Sequence, residues 1–180
     1  LSTLYQGEKA YWDLPFSGDF NVENTIAALA SLDGLFPLTE DIFLDFNGVF
    51  RRQECLLSAG KLKVFQDYAH HPREIEAFLE SRPSKSEKIV VFQPHRYTRT
   101  QQFCKEFAKI LSREEKVFLL PVYAASEDPK SGLESDSILK EMQPSGCTYL
   151  HQWNPALIEK EIDFSKQTEV LFIGAGDIEG

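Results

Sequence analysis

Apolar and polar positions follow two rhythms along this chain, and the change between them divides it. In the first fifty residues the period is helical. Residues 21–30 set small and apolar side chains on one face, with Asp19 or Asn21 as the expected cap and Gly34 to close the helix. A second short helix is expected near residues 39–46. After Gly48 strands begin to alternate with helices. Residues 51–59 and 61–68 flank Gly60 and predict a hairpin or two adjacent strands. Residues 72–80 predict a helix with proline in its first turn and Ile75, Phe78 and Leu79 on one face. Residues 88–93 form a nearly continuous apolar run of strand length, the kind buried on both faces of a parallel sheet. The pattern predicts a helix over 98–111, with Phe103, Phe107, Ile110 and Leu111 inward and Thr98 and Gln101 spaced as a capping box. The alternation continues with a strand over 116–120, a helix near 134–142, a strand over 148–150, a helix near 155–162 and a strand over 169–173.

Strands separated by helices of this size imply βαβ units and an α/β fold with a doubly wound, mostly parallel, Rossmann-like sheet. Such sheets bind ligands beyond the carboxyl ends of their strands. The loops after Phe65, Phe92, Leu120 and Ile173 are therefore the places to look. The first holds Asp67, Tyr68, His70 and His71: a carboxylate, a phenol and two imidazoles at one strand end. Adjacent histidines on an extended segment point to opposite sides, so they are a poor chelating pair. The second loop is the densest candidate. His95, Arg96 and Arg99 precede a helix amino terminus, where guanidinium forks and free backbone N–H groups both favour a carboxylate or phosphate. The third loop offers Tyr123 and Glu127 to the same edge. The fourth reads GxGxxxG from Gly174, which suits either close backbone approach to a ligand or a tight turn, and is a poor dinucleotide fingerprint.

Composition narrows the classes. Among 180 residues, 19 basic and 28 acidic side chains leave a net charge of −9, which opposes a general nucleic-acid or anionic-membrane binder unless cations are gathered locally. At 42% hydrophobic and 26% charged the chain reads as globular. No apolar run approaches the roughly 20 residues of a membrane span. The first residues lack the build of a signal peptide, so the cytoplasm is the expected compartment. Cys55, Cys104 and Cys147 lack CxxC spacing and are expected to be reduced thiols. No GxxxxGK[ST] loop or GxSxG elbow occurs, so if ATP is used, its phosphates are held outside this sequence.

The strings Gly18-Asp-Phe-Asn-Val-Glu-Asn24, Arg51-Arg52, Asp67-Tyr-Ala-His-His-Pro72, Gln93-Pro-His-Arg-Tyr-Thr-Arg-Thr100, Tyr123-Ala-Ala and Gly174-Ala-Gly-Asp-Ile178 together resemble the Mur ligases, most of all those that add L-alanine to UDP-N-acetylmuramate. Residues 1–48 are similar to the end of the family's central ATP-binding domain, expected as a helical remnant. Residues 49–180 are similar to its carboxy-terminal Rossmann-like domain. Phe20, Phe50 and Ser126 depart from the family's usual residues. The resemblance implies an ATP- and Mg2+-dependent ligase of bacterial peptidoglycan synthesis acting through an acyl phosphate, with this portion inactive alone. It implies that Tyr68, His71, His95, Arg96, Arg99 and Tyr123 bind L-alanine, with His95 catalytic. Arg52 and Asp67 would meet ATP, and Asn21 and Asn24 the adenine, with helix capping the alternative for both asparagines. No metal ligand is expected here, and no nucleic-acid or membrane partner. The alternatives are a murein-tripeptide ligase of cell-wall recycling and a stand-alone module binding a small carboxylate or nucleotide.

Overall fold

A computed structural model describes residues 2–5, 8–14, 18–39, 41–46, 48–82, 85–128, 135–142 and 147–178, with only the backbone over 2–10. The expected start of a helix at Glu134, Pro129 in the third loop and Gly180 of the GxGxxxG string lie outside these residues. The chain divides into two compact units, Leu1–Phe50 and Arg51–Gly180.

The first unit contains an antiparallel hairpin, β1 (Ser2–Tyr5) and β2 (Glu8–Tyr11), followed by helix α1 (Asp19–Leu32). The hairpin was not legible in the apolar pattern, and it precedes the helix of the expected remnant. Neither Asp19 nor Asn21 caps α1. Gly18, at φ 100, takes that place, and its carbonyl accepts from Asn21 N at 3.0 Å and Val22 N at 3.3 Å. The helix expected near 39–46 is also absent among the described residues. Ile42 N bonds Thr39 O, Leu44 N bonds Asp41 O and Phe46 N bonds Phe43 O, and these separate turns never join into a helical ladder. Trp12 is buried with its indole N–H on Thr39 O at 3.0 Å, and α1 buries only Thr25 and Leu29. Leu35, Phe36, Leu44, Val49 and Phe50 are exposed.

The second unit is a six-stranded sheet. Its strands are β3 (Glu54–Ala59), β4 (Leu62–Asp67), β5 (Glu87–Phe92), β6 (Lys116–Leu119), β7 (Cys147–Tyr149) and β8 (Thr168–Ile173), in the spatial order β3-β4-β8-β5-β6-β7. The first two form an antiparallel hairpin through Gly60, whose φ of 59 suits glycine, and the rest are parallel. Helices α2 (Pro72–Glu80), α4 (Cys104–Leu111) and α5 (Asp136–Glu141) send Ile75, Phe78, Phe107, Leu111 and Ile138 onto one face, against Val90, Phe92, Val117 and Leu171. Helix α6 (Pro155–Glu159) puts Ile158 on the other face, against Ile89, Val91 and Val170. Right-handed crossovers explain the division. The chain winds one way from β4 to β7, then reverses to insert β8 between β4 and β5, so the returning helix covers the opposite face.

One expected helix became two. Helix α3 (Tyr97–Gln102) breaks at Phe103, whose φ of −112 and ψ of 18 leave the helical region, and α4 resumes at Cys104. Thr98 is not a cap, because the helix begins a residue earlier, behind Arg96. Thr98 N and Oγ1 instead both donate to the carboxylate of Glu127, which supplies the acceptor that the sequence pattern had placed within the helix.

Candidate functional site

The carboxyl ends of β4, β8, β5 and β6 lie side by side, and hydrogen bonds between their loops assemble one polar edge. Gly174 N donates to Asp67 O, Gln93 N to Ile173 O, Tyr123 N to Pro94 O and Arg96 N to Tyr123 O, at 2.8 to 3.0 Å. The last two hold residues 94–96 against Tyr123, with Arg96 at a φ of 68, a conformation disfavoured for a side chain with Cβ. Gly174 and Gly176 are required by neighbours within the protein. A Cβ on Gly174 would lie 2.8 Å from Gln93 O, and one on Gly176 would lie 2.6 Å from Tyr123 Cγ. The close approach allowed by that glycine pair is to these side chains and backbone.

On this frame Tyr68, His70, His95 and Tyr123 form a chain of rings. Centroids are 5.6 Å apart for Tyr68–His70, 5.9 Å for His70–His95 and 5.7 Å for His95–Tyr123, the last pair stacked at 16°. Arg99 Nη1 donates to His95 Nδ1 at 3.3 Å. Burial, the guanidinium of Arg99, and then His70 and Arg96 push the His95 imidazole below its usual range, favouring the neutral ring. Neither Arg96 nor Arg99 makes an ion pair among the described residues. In a chain of net charge −9, two such cations beside a neutral imidazole make a locally basic spot, with Glu127 of the third loop the carboxylate that acts on Arg96 and His95.

Two predicted residues sit apart from this cluster. His71 accepts Arg73 N on Nδ1 at 3.3 Å as the cap of α2, and its ring meets Phe103 at 4.7 Å. Asp67 is buried at 5% exposure, its oxygens accepting Gln53 N at 2.9 Å and Ala69 N at 2.8 Å. Burial raises its pKa against the pull of those two bonds. Asp67 thereby fastens residues 51–53 to the end of β4. Arg51 donates to Gly174 O at 2.7 Å and Gly176 O at 2.8 Å with its guanidinium 5.0 Å from the Tyr68 ring centre, while Arg52, exposed, lies 5.9 Å from the same ring. Asn21 and Asn24 stand three residues apart on α1, in the other compact unit. The family resemblance gives a role to His71 and none to His70, although both lie in the same string. The period-two rule placed the two rings on opposite sides without saying which side faces His95.

A family model described as Mur ligase, glutamate ligase domain matches residues 51–176. The chain belongs to the Mur ligase family. This Mur ligase chain is 38% identical over 172 residues to UDP-N-acetylmuramate--L-alanine ligase of Carboxydothermus hydrogenoformans, covering 92% of the chain and 37% of that protein. It is 32% identical over 185 residues to the ligase of that name from a Hydrogenobaculum species, covering 99% of the chain and 41% of the relative. Among solved structures, UDP-N-acetylmuramate-alanine ligase MurC of Thermotoga maritima superposes with a TM-score of 0.71 at 27% identity, over 96% of this chain and 37% of that one. The Mur ligase sequence described here thus spans about two fifths of the length of these relatives. Its mostly parallel sheet with helices on both faces is the fold of the family's carboxy-terminal domain.

Proposed function

We propose that this chain is the carboxy-terminal part of an ATP-dependent ligase that joins L-alanine to UDP-N-acetylmuramate through an acyl phosphate, in the cytoplasm of a wall-building bacterium. Residues 1–48 form the end of the ATP-binding domain, and residues 49–180 the domain that brings the amino acid. The exposed apolar residues of the first unit are what a severed domain end would present. The observation that carries the reading is the pair Arg96 and Arg99, without an ion pair among the described residues, beside neutral His95. A small amino acid needs its carboxylate clamped so that its amine points at the reacting carbon. The two guanidinium groups supply the clamp, and His95, with Nδ1 occupied by Arg99, offers Nε2–H as a further donor. Tyr68 and Tyr123 flank these groups through the ring chain, and His71 holds the loop through its cap on α2.

ATP would supply the activating phosphoryl group. Exposed Arg52 suits a nucleotide phosphate, and buried Asp67 serves by holding the loop that carries Arg52 in place. Asn21 and Asn24 would meet the adenine. Among the described residues no three His, Cys, Asp or Glu are grouped to hold a metal. By the family resemblance, magnesium would be held mainly by the rest of the full-length protein. The chain alone is expected not to turn over, having no phosphate loop. The test is ATP-dependent ligation by the full-length protein with L-alanine, glycine, L-serine and a muramyl-type tripeptide as acceptors. Preference for L-alanine supports the reading; preference for the tripeptide moves the protein to the cell-wall recycling class, and detectable turnover by the isolated chain refutes its inactivity.

A further inference from the structure

Three histidines stand at this edge, and their hydrogen bonds fix their tautomers. A carbonyl oxygen only accepts, so the 3.0 Å contact of His70 Nδ1 with Tyr68 O places the proton on Nδ1 and the lone pair on Nε2. A guanidinium or a backbone N–H only donates. His95 Nδ1, bonded by Arg99 at 3.3 Å, and His71 Nδ1, bonded by Arg73 N at 3.3 Å, are therefore acceptors, and in each neutral ring the proton sits on Nε2. His70 is thus the one of the three whose free nitrogen is basic. A carboxylate stands behind it. Glu74 Oε2 accepts His70 N at 3.0 Å and His71 N at 3.2 Å and lies 3.6 Å from His70 Nδ1, placed to steady an imidazolium.

We infer that His70, through Nε2, is the base that takes the proton from the attacking amine, and that His95 acts from Nε2–H as a donor. This rests on the ligase reading above. In the step, the amine lone pair forms the C–N bond to the acyl carbon of the acyl phosphate made from ATP and the muramoyl carboxylate. The acyl C–O bond breaks, phosphate leaves with the electron pair, the nitrogen's proton passes to His70 Nε2, and the imidazolium later returns it to water. Bond formation makes the nitrogen cationic and strongly acidic, so an imidazole is base enough. The groups around the ring divide the labour. Glu74 from α2 faces His70 Nδ1 at 3.6 Å, with Arg52 further off acting on that carboxylate. Burial, Arg99, His70 and Arg96 disfavour a proton on His95, against the pull of the Glu127 carboxylate from the third loop.

The test uses the full-length protein and His70→Asn, whose amide N–H can replace the bond to Tyr68 O without offering a base. Expected are a fall in kcat of about 10²–10⁴-fold, a KM for L-alanine changed only a few-fold, and loss of the acid limb of kcat against pH. A kcat within about threefold of the parent, or a loss confined to KM with the acid limb kept, overturns the assignment. Should His70→Asn fail to fold, Glu74→Gln decides. It removes the charge but keeps an acceptor, so the limb moves to lower pH if His70 is the base, and a stationary limb counts against it. An inactive parent would sink the ligase reading itself, whereas an active parent with an unaffected His70→Asn sinks only the base.

Discussion

Replacing Gly176 by alanine tests whether the polar edge of the sheet is held by close packing between strand ends. The added Cβ would lie 2.5 Å from Gln93 Oε1 and 2.6 and 2.7 Å from Tyr123 Cγ and Cβ, against the roughly 3.5–4.0 Å of ordinary carbon contact. The Gln93 oxygen has no hydrogen-bond partner among the described residues and can swing away. Tyr123 cannot, because Tyr123 N bonds Pro94 O and Tyr123 O accepts Arg96 N, each at 2.8 Å. Relief must come from moving residues 94–96 and the ring stacked on His95. Overpacking of this kind costs about 1–3 kcal/mol, or roughly 2–12 °C in Tm for a protein of this size. Gly60→Ala serves as the comparison: its Cβ would meet nothing within 4 Å, so only the left-handed φ of 59 is charged, at about 1–2 kcal/mol. Thermal and urea unfolding of the chain measure both. In the full-length protein Gly176→Ala should also raise the KM for L-alanine, while Gly60→Ala leaves it unchanged. A Gly176→Ala protein within about 1 °C of the parent, with its KM intact, would refute the packing argument.

Arg99→Ala in the full-length protein removes a charge-assisted bond worth about 1.5–3 kcal/mol, so kcat/KM for L-alanine should fall about 10- to 150-fold, mainly through KM; an unchanged KM removes Arg99 from the clamp. Glu127→Ala frees Thr98 N and Oγ1, so hydrogen exchange at the Thr98 amide should accelerate, and unchanged exchange would mean that Glu127 does not hold the helix start. Glu169→Gln should stabilise the chain at neutral pH by about 1 kcal/mol, because Glu169 is buried and its Oε2 lacks a hydrogen-bond partner among the described residues. Burial raises that carboxyl above 4.5 despite Arg82, Lys63 and Lys88. Its contribution is therefore present at low pH and lost as pH rises through the folded value, so the gain from Glu169→Gln should vanish on acidification. A gain that persists at acid pH would contradict that account.

Much of the second unit was legible from its residues. Runs such as residues 89–92 are apolar at every position because both faces of a parallel strand are buried, and Pro72 with Ile75, Phe78 and Leu79 states a helix start and its inward face in one short string. The order of strands and helices, and the gathering of His95, Arg96 and Arg99 at the carboxyl ends of the strands, follow from period and punctuation, which are local. What only the tertiary structure decided depends on partners distant in sequence. Thr98 finds its acceptor on Glu127, 29 residues away, so no capping box within the helix is needed. Asp67 is engaged by the backbone of Gln53 and Ala69, and Gly176 is glycine because of Tyr123. Above all, the sequence sets His70 and His71 side by side as equals. The fold turns one to Phe103 and the other to His95, and a hydrogen bond to Tyr68 O leaves His70 the basic nitrogen, because a tautomer is set by the group that a ring meets and not by its neighbour in the chain.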